Sequence, residues 1–114
     1  MAEAHRGERR VAALLLNWRQ PALTLQCLRD LLAVHDVAMH VFVIDNGSGD
    51  DSAATLRAAL PSFDVGPHAV ELVALPQNGG FTGGMNAGIR LAIERGIPFA
   101  LVLNNDLRLP PDFL

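Results

Sequence analysis

A chain of 114 residues has room for one small domain with a single hydrophobic core. Half of its residues are hydrophobic, only 18% are charged and the formal net charge is -3, which excludes the broad positive surface of a nucleic-acid-binding protein. An anionic ligand would therefore be held locally, by backbone amides, a bound cation or a few placed side chains. The single cysteine, Cys27, excludes an intramolecular disulfide and predicts a small core residue in a reducing cytoplasm.

Residues 1–10 are polar and charged, and they predict a flexible leader without the apolar core of a signal peptide. No apolar run approaches the ~20 residues needed to cross a bilayer. Arg6, Arg9 and Arg10 could contact acidic lipid, although a solvated tail is the expected state. We therefore expect a cytoplasmic protein and leave open a peripheral association with the inner face of the membrane.

The first half of the chain predicts alternating strands and helices. Residues 11–16 and 41–44 are short apolar runs typical of buried strands. Between them a helix is predicted over residues 21–34, with Pro21 in its first turn, where the missing N–H has no helical partner. A second helix is predicted from about residue 52 to 60, because Asp50 and Asp51 at its start can accept amide hydrogen bonds, and Pro61 ends it. The apolar face of the first helix is formed by Leu25, Leu28, Leu31 and Leu32.

The second half continues the alternation. Residues 62–68 are polar and predict an ordinary surface connection, and residues 70–75 and 99–103 predict two further strands. Between these strands a helix is predicted from Gly83 or Gly84 to Arg95, ended by Gly96. The order predicts an α/β fold with a parallel sheet of about four strands, helices on both faces and right-handed crossovers. The apolar face of the last helix is formed by Met85, Ile89, Ala92 and Ile93.

The segments that follow the four strands are the candidate ligand site, because such sheets bind ligands beyond the carboxyl ends of their strands. Residues 17–21, 45–50, 76–84 and 104–106 are dense in amides, carboxylates and glycines. Each segment alone is typical of a turn, and Asp45 could either cap its turn or accept hydrogen bonds from a pyrimidine or ribose. Their convergence at one rim predicts a polar ligand together with a cation.

Two of these segments have a more specific chemistry. The glycine cluster 79–84 opens a helix whose free N–H groups favour an anion, although it lacks the spacing of a dinucleotide-binding motif. Asp106 is the candidate metal ligand, because Mg²⁺ or Mn²⁺ is commonly held by one or two carboxylates together with substrate phosphates. Such a cation would neutralise the charge that gathers on a departing diphosphate. A lone Asp at such a turn is more often structural, so this prediction depends on the other segments.

The sequence resembles the inverting nucleotide-sugar transferases of glycosyltransferase family 2, and within them the rhamnosyltransferase-like group, over residues 11–114. Four ordered segments carry the resemblance. They are Leu16-Asn17-Trp18 followed by Pro21, Val43-Ile44-Asp45-Asn46-Gly47-Ser48 with Asp50, Asn78-Gly79-Gly80-Phe81 with Asn86 and Gly88, and Leu103-Asn104-Asn105-Asp106 followed by Leu109-Pro110-Pro111-Asp112-Phe113-Leu114.

The resemblance implies a Rossmann-like GT-A fold that transfers a sugar from a nucleoside diphosphate donor to an acceptor hydroxyl with inversion. It implies that Asp45 contacts the base or ribose and that Asn17 sits at the nucleotide pocket. By the same likeness Asn78, Gly79 and Gly80 line the donor site. The segment 104–106 matches the Asp-x-Asp metal motif with Asn in its first position, which places Asn105 at the donor site and Asp106 on a Mg²⁺ or Mn²⁺ ion.

The resemblance places the catalytic base and the acceptor-binding wall in later sequence, and no residue of this chain matches that base. We therefore expect residues 11–114 to be the nucleotide-sugar-binding part of a GT-A domain, ending after the metal motif. Alone it would bind donor weakly at best and transfer nothing to a carbohydrate or lipid-linked acceptor. An uncovered sheet edge could pair with another copy of the chain, so self-association stays an open alternative.

Two alternatives come from other functional classes. The chain could be a standalone nucleotide or nucleotide-sugar binding module without transferase activity. It could also be a nucleotidyltransferase, whose sheet can look alike. That reading needs a basic, glycine-rich loop after the first strand to hold a triphosphate, whereas residues 17–21 contain a single arginine and no glycine.

Overall fold

The computed structural model describes residues 9–105, so most of the predicted leader and the predicted metal ligand Asp106 lie outside the described residues. The elements follow the predicted alternation. In chain order they are β1 (Val11–Asn17), α1 (Pro21–Leu32), β2 (Met39–Asp45), α2 (Ser52–Ala59), a 3-10 turn (Leu60–Ser62), β3 (Ala69–Ala74), α3 (Gly80–Glu94) and β4 (Phe99–Leu103).

The four strands form one parallel sheet in the order β3-β2-β1-β4. The chain therefore builds outward from β1 through β2 to β3, and then crosses to the other side of β1 to add β4. Asn17 pairs with Asp45, and Asp45 pairs with Ala74, so these strands end level with one another. The reversal between β1 and β4 creates a crevice at the carboxyl ends of the strands, where ligands bind in open α/β sheets.

Helices cover both faces of the sheet, and the predicted α/β class is confirmed. Alternate residues of the central strands point to opposite faces, as the two-residue period of a strand requires. Ala13, Leu15, Val41 and Val43 pack in the core beneath α1 and α2, together with the buried Cys27, Leu28, Leu31 and Leu56. Ala12, Leu14, Phe42 and Ile44 pack on the other face against Ala92 of α3.

The start of α3 differs from the prediction, because the helix begins at Gly80 and not at Gly83 or Gly84. Two hydrogen bonds hold this early turn. The backbone N–H of Gly80 donates to Oδ1 of Asn78 at 2.6 Å, and the Asn46 side chain donates from Nδ2 to the Gly80 carbonyl at 2.9 Å. A tertiary contact from Asn46, the residue after β2, therefore overrides the weak helix propensity of the glycines.

The predicted surface connection 62–68 is wrong at its last residue, because His68 is buried. Nδ1 of His68 accepts a hydrogen bond from the Met39 backbone N–H at 3.0 Å, and Nε2 lies 2.6 Å from the carbonyl oxygen of Val34. The backbone N–H must donate, so Nε2 carries the ring proton and donates to Val34. The imidazole thereby pairs with two backbone groups between α1 and β2, the Val34 carbonyl and the Met39 N–H. Buried polar groups of this kind need a hydrogen-bond partner.

Within the part of the chain that the structure describes, no helix combines the length and the apolar character required to cross a membrane.

Candidate functional site

The exits of all four strands converge on one cavity of about 310 Å³ at the carboxyl edge of the sheet. It lies at the reversal between β1 and β4, and it also receives side chains from the loop after β2 and from the start of α3. The lining residues are Leu16, Asn17, Trp18, Gln20, Asn46, Asn78, Gly80, Phe81, Asn104 and Asn105.

The cavity combines amide groups with aromatic rings. Six of its lining residues carry a side-chain amide, a group that can both donate and accept hydrogen bonds. Trp18 and Phe81 are 46% and 51% exposed, so their rings offer free apolar surface beside those amides. Among the described residues, none that lines the cavity carries a charge. This chemistry suits a ligand with hydroxyl or amide groups and a flat or apolar face, such as a sugar or a nucleobase.

Asp45 lies behind this cavity and not on its surface. Its carboxylate is only 4% exposed and accepts hydrogen bonds at Oδ1 from Asn17 Nδ2 at 2.9 Å and from the Ser48 hydroxyl at 2.5 Å. The Ser48 backbone N–H lies 3.4 Å from Oδ2. In this structure the carboxylate organises the turn after β2 and links it to β1, which is the turn-capping alternative for this residue. Its contact with a base or ribose stays a prediction.

The glycine segment is fixed against the turn after β2. Asn46 donates to the Gly80 carbonyl and accepts at Oδ1 from the Gly79 backbone N–H at 3.4 Å. Gly47 approaches the same segment so closely that a Cβ placed on it would lie 2.1 Å from the backbone carbon of Gln77 and 2.2 Å from the backbone nitrogen of Asn78. Backbone-to-backbone contact therefore holds the third strand exit beside the second.

Arg19 places a positive charge beside Trp18, on the aromatic side of the cavity. Its backbone N–H donates to the Ser48 hydroxyl at 2.9 Å, its Nε donates to the Ser48 carbonyl at 2.8 Å, and its guanidinium lies 4.5 Å above the Trp18 ring. Hydrogen bonding by Ser52 lowers the pKa of the exposed Asp50, and the charge of Arg19 adds to that effect. The exits of β1 and β2 are thus joined by charge as well as by hydrogen bonds.

Comparison with known families gives a direct match. A family model described as Glycosyl transferase family 2 matches residues 17–114. The chain belongs to glycosyl transferase family 2. No curated protein gives a significant match to this chain. The matched region begins at Asn17 and so includes all four strand exits that line the cavity, and the parallel sheet is the Rossmann-like arrangement expected of a GT-A fold.

The structure brings together most of the family residues predicted for the donor site. Asn17, Asn78, Gly80 and Asn105 all line the cavity. Gly79 adjoins it through its backbone contact with Asn46, without being a lining residue. The predicted metal ligand Asp106 lies outside the described residues, next in sequence to Asn105.

The sequence analysis did not select six of the lining residues: Leu16, Trp18, Gln20, Asn46, Phe81 and Asn104. Five of them lie inside the segments that carry the family resemblance, and Gln20 lies in the strand exit between Asn17 and Pro21. The available signal was the position of an amide or aromatic side chain just after a strand. That signal marks a loop at the correct edge of the sheet, but it does not say which side chains turn inward.

Family 2 enzymes commonly use a divalent cation, and the oxygen-rich end of β4 is compatible with one. Mg²⁺ and Mn²⁺ prefer oxygen ligands, and the side chains of Asn104 and Asn105 carry such oxygens at the cavity. Within residues 9–105, no group of three or more His, Cys, Asp or Glu side chains could hold a metal ion.

Proposed function

We propose that this chain forms the donor-binding part of an inverting glycosyltransferase, which transfers a sugar from a nucleoside diphosphate to an acceptor hydroxyl with the aid of Mg²⁺ or Mn²⁺. The single observation that carries the proposal is the cavity at the reversal of the sheet, lined by all four strand exits of a family 2 domain. Its amide and aromatic lining suits the uncharged parts of such a donor, the base and the sugars.

Each group of residues has a distinct role in the proposal. The rings of Trp18 and Phe81 provide faces for the base or sugar, and Asn17 and Asn78 contribute amides at the strand exits. Asp106, supported by amide oxygens of the neighbouring Asn105, would hold the cation. When bound, that cation supplies Lewis-acid stabilisation of the leaving diphosphate.

The proposal assigns the general base to another part of the enzyme. A base must come within hydrogen-bond reach of the acceptor hydroxyl. Among the described residues, no carboxylate lines the cavity, and Asp45 at the end of β2 is buried and already accepts hydrogen bonds from Asn17 and Ser48. We therefore expect residues 1–114 to bind donor without transferring sugar.

A titration tests the site directly. UDP and dTDP are titrated into the chain with and without Mn²⁺, and the same titrations are made with Asp106→Ala and with Asp64→Ala as a control. Asp64 is an exposed carboxylate whose Oδ1 accepts from Gly66 on the segment before β3, so its removal changes the net charge equally. We expect binding that needs Mn²⁺, weakened at least about tenfold by Asp106→Ala and unchanged in the control. Equal affinities of wild type and Asp106→Ala would remove Asp106 from the metal role.

A binding module without transferase activity is the competing hypothesis, since the same cavity suits a binding module and a transferase. Only a transferase converts the donor into a nucleoside diphosphate and a glycosylated acceptor. The test uses a protein that extends past Leu114, where the gene encodes further residues. If the protein is a transferase, its incubation with a UDP- or dTDP-sugar and candidate carbohydrate acceptors should release nucleoside diphosphate only when an acceptor is present. Release that does not depend on acceptor, or no release from the longer protein, would favour the binding module.

A further inference from the structure

Thr24 occupies an unusual place in α1, because its hydroxyl joins two of the predicted donor-site amides. The side chain is fully buried. Its Oγ1 lies 2.6 Å from Oδ1 of Asn17 and 3.2 Å from Nδ2 of Asn105. An amide nitrogen only donates, so the hydroxyl accepts from Asn105 and gives its single proton to Asn17. One hydroxyl thus connects the exit of β1 to the exit of β4.

The direction of these hydrogen bonds is fixed by the buried carboxylate at the end of the chain of contacts. Asp45 can only accept, so Asn17 directs Nδ2 toward it and leaves Oδ1 for Thr24. Each donor therefore points toward Asp45, in the order Asn105, Thr24, Asn17, Asp45. Successive bonds of one direction strengthen each other and define one amide orientation at each step.

The orientation of Asn105 has a consequence for the cavity. Its Nδ2 is directed to Thr24, and it also lies 3.4 Å from Oε1 of Gln20. Its carbonyl oxygen, Oδ1, is then the group left to face a ligand at a residue that lines the cavity. Without the Thr24 hydroxyl, the amide could rotate and present its nitrogen instead.

We propose that Thr24 is a positioning residue, which sets the amide of Asn105 so that its oxygen accepts a hydrogen bond from a hydroxyl of the bound nucleotide sugar or ligates its cation. The proposal rests on the proposed function, because it assumes that the cavity is the donor site. Thr24 is fully buried and is not among the residues that line the cavity. It acts through Asn105 and, on the other side, through Asn17.

A purely local role for the hydroxyl is the competing explanation. Oγ1 also lies 3.1 Å from the Gln20 carbonyl one helical turn earlier, a contact that threonines in helices often make. A hydroxyl that only satisfied this carbonyl would affect the stability of α1, but it would not affect the orientation of Asn105.

The experiment compares Thr24→Val, which removes the hydroxyl, with Thr24→Ser, which keeps it. UDP and dTDP are titrated with Mn²⁺ into each, and the side-chain amide signals of Asn17 and Asn105 are followed by NMR. We expect Thr24→Val to weaken nucleotide binding by about threefold to tenfold and to shift both amide signals, and Thr24→Ser to restore wild-type behaviour. Combined with Asn105→Ala, Thr24→Val should weaken binding less than it does in the wild type, because the part of its effect that passes through Asn105 is already lost.

The outcomes separate the two proposals. If the wild-type chain binds neither nucleotide with Mn²⁺, the proposed function fails and the positioning role fails with it. If the wild type binds and Thr24→Val binds equally, only the role of Thr24 is overturned. Should Thr24→Val not fold, solvent exchange in the wild type decides: the side-chain NH₂ protons of Asn105 should exchange more slowly than those of the exposed Asn78, and equal rates would overturn the proposal.

Discussion

Asn46 and Gly80 join the end of β2 to the first turn of α3, since the Asn46 side chain donates from Nδ2 to the Gly80 carbonyl at 2.9 Å. Asn46 is 5% exposed, and its Oδ1 also accepts from the Gly79 backbone N–H. One buried side chain therefore holds two backbone groups of the glycine segment that borders the cavity.

We expect Asn46→Ala to lower the free energy of unfolding by about 1–3 kcal/mol, because it leaves backbone groups at the start of α3 without their partner. The glycine segment should also become less ordered and bind nucleotide more weakly. Urea denaturation measures the first effect, and UDP titration with Mn²⁺ measures the second. Asn86→Ala serves as the control, because Asn86 is an exposed residue further along α3. Unchanged stability in Asn46→Ala would show that these hydrogen bonds contribute nothing net.

The close approach of α3 to the sheet gives a second prediction. A Cβ on Gly88 would lie 2.8 Å from Ile44 Cδ1 and 2.9 Å from Leu14 Cδ2, whereas a Cβ on Gly83 would meet nothing within 4 Å. We expect Gly88→Ala to lower the free energy of unfolding by about 1–3 kcal/mol through overpacking. Gly83→Ala on the same helix should raise it by about 0.5–1 kcal/mol, because alanine favours the helix. Thermal unfolding of both variants measures the contrast, and effects of the same sign would contradict it.

The sequence predicted the sheet well because β1 and β2 are buried on both faces and appear as continuous apolar runs. It also placed the four strand exits at one edge of the sheet, where the cavity lies, since the strand exits of a parallel sheet share one side. The start of α3 was missed because the contact that holds it comes from Asn46, 34 residues before Gly80. His68 was missed for a similar reason, since its burial depends on backbone groups of Val34 and Met39.

Within the site, the side chains were harder to predict than the loops. For Asp45 the sequence left two roles open, capping of its turn or contact with a ligand. In the structure it accepts hydrogen bonds from Asn17, which lies 28 residues away, and from Ser48 in its own turn, and its contact with a ligand stays a prediction. Local sequence shows that a carboxylate follows a strand. Whether that carboxylate faces a ligand or a neighbouring strand depends on the register between β1 and β2, which places Asn17 beside Asp45.

Glu71 on β3 gives a pH-dependent prediction. Its carboxylate accepts two hydrogen bonds from Arg95 at 2.6 and 2.9 Å and lies 3.2 Å from Nε2 of His40. The Arg95 guanidinium, followed by the His40 side chain, holds the pKa of Glu71 below its ordinary value of 4.5. A lowered folded-state pKa contributes stability that is present above that ordinary value and is lost as the pH falls through the folded pKa.

We therefore expect the wild type to lose stability more steeply than Glu71→Gln as the pH falls below about 4.5. The pair is partly exposed, so the difference should be small and should decrease with added salt. Thermal unfolding at a series of pH values measures it. Parallel stability curves for the two proteins would show that the ion pair does not contribute.

Gly47 tests how tightly the turn after β2 is held against the segment before α3. Both Gly47, with φ of +63°, and Gly66, with φ of +55°, adopt the left-handed conformation that other residues avoid. A Cβ on Gly66 would meet nothing within 4 Å, whereas a Cβ on Gly47 would lie 2.1 Å from backbone of Gln77. Alanine at either position therefore adds a similar conformational strain, of about 1–2 kcal/mol, and only at Gly47 does it also collide with backbone.

We expect Gly47→Ala to destabilise the fold well beyond Gly66→Ala and to weaken nucleotide binding, because Gln77 and Asn78 must move. Urea denaturation and UDP titration of both variants measure this difference, and equal losses would mean that the two strand exits are not held together by this contact.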